Sequence, residues 1–197
     1  MLFKYAFLAA LVVTPAHAGD ANGQGASLDH ALFGFGGVFT DEDMGSSLMP
    51  FHTSYEDNYL VGVGYQHFMF DRSNFSLGFE GGIAARIGGR LTGEVWGGAV
   101  GRYDGLPTIS GLQVSPAITF GLSAVTAAHR GREQKLEERY DGDASLLFYL
   151  GPEISISHSA FGPEVFWRLH HRSGALGTLG NMKGAMNANV LGVRLKF

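Results

Sequence analysis

The chain has no cysteine among its 197 residues. That excludes a disulfide-stapled scaffold, a cysteine zinc site and a thiol nucleophile. Charge is scarce as well: 16% of residues are Asp, Glu, Lys or Arg, against an ordinary ~25%. The formal net charge of −4 gives nucleic acid no electrostatic footprint to bind. Beyond the N-terminus, no stretch approaches the ~18 consecutive apolar residues that a membrane helix needs. The 30 glycines follow no strict three-residue period, so a collagen-like chain is excluded. With 45% hydrophobic and 12% aromatic residues, the composition is too apolar for a disordered chain.

What is present begins with residues 1–18, MLFKYAFLAALVVTPAHA. Lys4 supplies a positive start, residues 5–13 an unbroken apolar core, and Ala16-His17-Ala18 a small-x-small cleavage site. This is the pattern of an export signal peptide, with the mature chain starting near Gly19. Residues 19–28 are polar and glycine-rich and read as a flexible lead-in. Residues 29–197 show no linker and form one domain.

Within that domain, apolar residues alternate with small or polar ones in eight segments, near 29–40, 57–68, 74–87, 91–103, 112–127, 144–157, 161–172 and 186–197. Period 2 is the mark of strands with two unlike faces. In the last segment Leu191, Val193, Leu195 and Phe197 share one face, and Val190, Gly192, Arg194 and Lys196 the other. In the second, Tyr59, Val61, Val63 and Tyr65 oppose Asn58, Gly62, Gly64 and Gln66. An apolar face carrying aromatics near its ends, against a polar face rich in Gly, Ser, Gln, Glu and Arg, fits lipid outside and a filled polar lumen inside. Residues 41–56, 128–143 and 173–185 are the longest links and read as outer loops, while 87–90 is a tight hairpin. The fold class is therefore all-β: an eight-stranded antiparallel transmembrane β-barrel of the bacterial outer membrane. A soluble lipocalin-like barrel with an apolar ligand is the alternative.

The seventh segment carries the chemistry. Val165, Trp167 and Leu169 form its lipid-facing row, and period 2 continues that row onto His171 and Ser173. Glu164, Arg168 and His170 take the luminal face. Side chains at i and i+2 point the same way, about 7 Å apart. A serine hydroxyl needs a neighbouring base to become a nucleophile, and His supplies one at neutral pH.

The run His171-Arg-Ser-Gly-Ala175, followed by Asn181, Gly184 and a last strand ending in Phe197, resembles the PagL family of outer-membrane lipid A 3-O-deacylases. The resemblance covers about 35 C-terminal residues; the rest is barrel pattern. It implies a membrane-facing site with His171 as general base and Ser173 as nucleophile. Backbone N–H groups at Gly174 and Ala175, helped by the Asn181 loop, would form the oxyanion hole. Two departures matter. The family places a Glu on the last strand to orient the His; here Asn187 stands nearest that position, with Asn189 next on the same face. The family's usual Asn after the Ser is Gly174. An Asn can fix a histidine's tautomer, but it cannot stabilise an imidazolium by charge.

Elsewhere, Asp41, Glu42 and Asp43 read as solvated loop residues, with divalent-cation contact as the alternative. The 129–143 loop mixes Arg130, Arg132, Lys135 and Arg139 with Glu133, Glu137, Glu138, Asp141 and Asp143; mixed charge reads as a solvated loop, with lipid phosphates as the alternative ligand. Glu94, Arg102, Glu153, Glu164 and Arg168 are expected to pair inside the barrel. His30, His52, His67 and His158 lack metal-ligand spacing, so no metal or cofactor is implied. The expected partner is lipid A or lipopolysaccharide, and a homodimer is compatible with the sequence. The competing function is a non-catalytic small barrel that stabilises the membrane or presents loops.

Overall fold

The computed structural model describes residues 29–158 and 161–197. The expected signal peptide at 1–18 and lead-in at 19–28 lie outside the described residues. Eight strands follow in chain order: β1 (His30–Thr40), β2 (Tyr55–Arg72), β3 (Phe75–Ile87), β4 (Thr92–Tyr103), β5 (Leu112–Val125), β6 (Leu146–His158), β7 (Phe161–Ser173) and β8 (Ala185–Lys196). Each pairs antiparallel with its sequence neighbours, and β1 pairs with β8 to close the barrel. Two helices sit in the links at one end, α1 (Met44–Ser47) after β1 and α2 (Arg132–Tyr140) after β5. Neither is long and apolar enough to cross a membrane.

The expected segments match the strands to within a few residues, except that β2 runs four residues past the expected end at 68. Its continuation closes on β3 through Ser73 and Asn74, with Ser73 in the left-handed region at φ 60°.

The alternation decides the two walls. Along β2 the outward Tyr59, Val61, Val63 and Tyr65 are 40–53% exposed, while Leu60 and Gln66 are buried. Phe79, Ile83, Val95, Ile118, Phe120, Val165 and Leu191 continue the exposed apolar belt around the barrel. In water such a surface would be costly; in lipid it needs no cover. The lumen is filled by buried side chains, and the apolar belt on the outer wall is the observation that speaks against the soluble alternative.

Glycine excess has a steric cause here. Inward Gly62 and Gly64 leave the space that the rings of Phe35 and Phe33 occupy, Gly82 seats Trp96, and Gly192 seats Phe166. These rings, with Tyr149, form the apolar middle of the lumen.

Five carboxylates (Glu80, Glu94, Glu133, Glu153, Glu164) and five guanidiniums (Arg86, Arg102, Arg168, Arg172, Arg194) are buried among the described residues, so the lumen balances to neutrality. Arg168 bridges Glu80 at 2.6 Å and Glu153 at 2.6 Å. Arg194 joins Glu153 at 2.7 Å and also Glu164, and Arg102 closes on Glu164 at 2.7 Å. The five residues expected to pair inside all do so.

The 129–143 loop corrects the sequence reading. It is not uniformly solvated. It folds as α2 over the lumen mouth, with Glu133 only 3% exposed. Glu133 accepts from Arg86 at 2.5 Å and from Arg172. Leu136 packs with Ala144, Leu147, Met182 and Met186. Charge composition hid this because the carboxylate's partners lie on β3 and β7.

Two substitutions test this packing. Gly64→Leu would drive a side chain into the Phe33 ring and should cost about 1–3 kcal/mol, the usual range for overpacking. Glu80→Ala would strand Trp96 Nε1, Gln66 Nε2 and part of Arg168 and should cost about 3–5 kcal/mol. Urea titration of the refolded barrel in detergent measures both.

Candidate active site

β7 puts two adjacent histidines on opposite walls. His170 faces the lumen, with Nε2 2.7 Å from Glu94 Oε1 and its ring against Phe35, Trp96 and Tyr149. His171 falls on the outer wall with Ser173, as period 2 requires.

Register brings the neighbours. Across the β7–β8 ladder His171 pairs with Asn187, Ser173 with Ala185, and Leu169 with Asn189. His171 Nδ1 lies 2.6 Å from Asn187 Oδ1. Asn187 Nδ2 donates to the Glu42 carbonyl at 2.9 Å. A carbonyl can only accept, so the amide's NH₂ points to Glu42 and its oxygen to His171. An oxygen facing Nδ1 places the ring proton on Nδ1. Nε2 is then the basic nitrogen. Of the two asparagines considered, only Asn187 holds the histidine. Asn189 accepts from Trp167 Nε1 at 3.1 Å and donates to Ser47 O and the Tyr55 hydroxyl, which binds the 41–54 link to the barrel wall.

Ser173 and His171 line the same open groove of about 180 Å³. Phe120, Phe148, Leu150 and Ala175 complete it, and all lie on the outer wall or its rim. No hydrogen bond joins Ser173 Oγ to His171 among the described residues. Unliganded catalytic pairs are often loose in this way and tighten around substrate.

After Ser173 the chain turns sharply. Ala175 and Leu176 take left-handed φ values of 46° and 61°. A Cβ at Gly174 would collide with the carbonyl oxygens of Leu179 and Met182, so this position requires glycine. The Gly174 carbonyl accepts from Gly177 N at 3.2 Å and Leu179 N at 3.0 Å. Among the described residues, the N–H groups of Gly174 and Ala175 meet no acceptor. Asn181 is engaged elsewhere: its Nδ2 donates to the Tyr140 carbonyl at 2.6 Å, tying the 174–184 link to the end of α2.

Asp41 and Asp43 meet Arg132, Asp43 at 2.6 Å. No group of three or more potential metal ligands occurs among the described residues. The Glu42 carbonyl, which sets the Asn187 amide, was missed in the sequence. A backbone acceptor has no sequence signature.

No protein-family model and no curated protein matches the chain. The solved structures that share its architecture include two with the following likeness. One is the outer membrane enzyme PagL, with a TM-score of 0.56 and 14% identity over 85% of this chain and 99% of that one. The other is Neisserial surface protein A, with a TM-score of 0.54 and 12% identity over 88% of this chain and 100% of that one. Together with the apolar belt, they define the class: a closed eight-stranded antiparallel barrel of the bacterial outer membrane. At these identities the likeness is one of fold, shared by an enzyme and a surface protein.

The direction of the site can be tested cleanly because the chain has no cysteine. A single Ser173→Cys thiol should react with an apolar maleimide dissolved in the detergent phase. A His170→Cys thiol, enclosed in the lumen, should stay unlabelled in the folded barrel.

Proposed function

We propose that the protein is a serine esterase of the outer membrane that releases an ester-linked 3-hydroxyacyl chain from lipid A, exported by residues 1–18. The observation that carries this reading is the pairing of a histidine whose Nε2 is left basic with a serine on the same membrane-facing apolar groove. A substrate that is itself a membrane lipid suits that position: the acyl chain stays among apolar neighbours while its ester reaches Ser173.

In this reading Ser173 Oγ attacks the ester carbonyl carbon and passes its proton to His171 Nε2. The negative oxygen forms against the N–H groups of Gly174 and Ala175. The carbon–oxygen ester bond then breaks, and the sugar oxygen takes the proton from His171. Water, deprotonated by the same nitrogen, releases the 3-hydroxy acid and restores Ser173. Asn187 keeps the tautomer correct. It supplies no charge to the imidazolium, so turnover should be slow.

Mass spectrometry of lipid A after incubation with the refolded mature chain tests the reading. Wild type should remove one hydroxyacyl mass and Ser173→Ala none. Asn187→Glu, which places a carboxylate behind the imidazolium, should raise the rate at least about tenfold, since the third triad member is worth up to ~10⁴. Intact lipid A after incubation with a folded wild-type barrel would favour the second reading, a non-catalytic barrel. The missing carboxylate behind His171 is the feature that favours that alternative.

A further inference from the structure

Asn187 can do its work only while its amide stays one way round. Rotated by half a turn it would offer NH₂ to Nδ1, favour the Nε2–H tautomer and leave Ser173 without a base. The Glu42 carbonyl prevents this, and Glu42 lies in the link between β1 and β2, far from β7 in sequence. Something must hold that carbonyl in place.

The structure assigns that task to Arg132, the first residue of α2. Its Nη1 donates to the Asp41 carbonyl at 3.1 Å and its Nη2 to Asp43 Oδ1 at 2.6 Å, so it grips the residue on either side of Glu42. Its Nε donates to the Ala185 carbonyl at 2.8 Å, and Ala185 is the β8 residue opposite Ser173. One guanidinium thus fixes the carbonyl that orients Asn187 and the backbone across from the serine. Ser47 Oγ, itself 2.7 Å from Thr40 Oγ1, adds a longer contact to the same Glu42 carbonyl at 3.5 Å. We infer that Arg132 is a positioning residue of the site, acting through Glu42 and Asn187 on the tautomer of His171.

A purely structural role fits the geometry less well. Asp43 and Asp41 are 85% and 47% exposed at their side chains, and exposed ion pairs contribute little to stability. Arg132 itself is 18% exposed at its side chain and also holds two backbone carbonyls, so heat-dependent gel mobility of Arg132→Ala, expected to match wild type, is checked before either arm below. The catalytic part of the inference rests on the esterase reading; the tautomer part does not.

The experiment has two arms. In the first, ¹⁵N spectra of histidine-labelled protein report which ring nitrogen of His171 carries the proton, with His171→Gln used to assign its signals and His170 as internal reference. Wild type should show Nδ1–H, and Arg132→Ala a mixture with Nε2–H. In the second, lipid A turnover by Arg132→Ala should show kcat lowered about 10- to 100-fold, short of the ~10⁴ that a fixed wrong tautomer costs a triad, with KM little changed. Asn187→Asp removes the amide that can turn, so adding Arg132→Ala to it should change kcat by less than about twofold. An unchanged His171 tautomer in Arg132→Ala overturns the inference, as does an equal loss of kcat in both backgrounds. A tautomer shift in a barrel that hydrolyses nothing would leave the positioning role intact and remove the esterase reading instead.

Discussion

Closing eight strands into a ring leaves a lumen that only side chains can fill, and the rest of the structure follows from how that lumen is filled. Charged groups placed there lose water and recover stability only through partners with good geometry. The barrel answers with equal numbers of buried carboxylates and guanidiniums, shared in chains rather than isolated pairs. Arg168 holds Glu80 and Glu153, Arg194 holds Glu153 and Glu164, and Arg102 completes the series. The aromatic rings between the charged layers fit because glycines on the facing strands leave them room.

A filled lumen has no space for a substrate, so any chemistry has to face the bilayer or the loop end. The chain separates two adjacent histidines accordingly. His170 joins the luminal network through Glu94; His171 meets the membrane side with Asn187. The same network reaches out of the barrel as well. Glu133 takes the first turn of α2 down onto Arg86 and Arg172, and that anchoring leaves Arg132, one residue earlier, beside the 41–43 segment and the start of β8. The luminal ion pairs and the orientation of an outer-wall histidine are therefore mechanically joined through one short helix.

Much of this was legible in the sequence. Alternation along the segment ending in Phe197 and along Tyr59–Tyr65 gave the strands and their faces, because a period of two admits only two directions. It also put His171 and Ser173 on one wall, and the family resemblance put Asn187 nearest the position that orients the histidine. Less legible were the residues whose role depends on partners distant in the chain. Glu133 sits among nine charged residues and looks no different from Glu137 or Glu138. Arg86 and Arg172 are luminal by parity, yet nothing local says that a helix will supply their carboxylate. Asn181 looked like a neighbour of the serine and instead binds the end of α2.

The sequence by itself determined which wall of the barrel each strand residue takes and which two side chains could form a nucleophile and its base. Those are properties of a strand's own geometry, repeated every two residues. It did not determine what covers that wall: Leu169, expected to face lipid, is fully buried. Only the tertiary structure decided which way the Asn187 amide points, and hence which nitrogen of His171 is basic. That choice depends on a backbone carbonyl from a loop some 145 residues away in the chain, and a carbonyl is the one group that every residue carries alike.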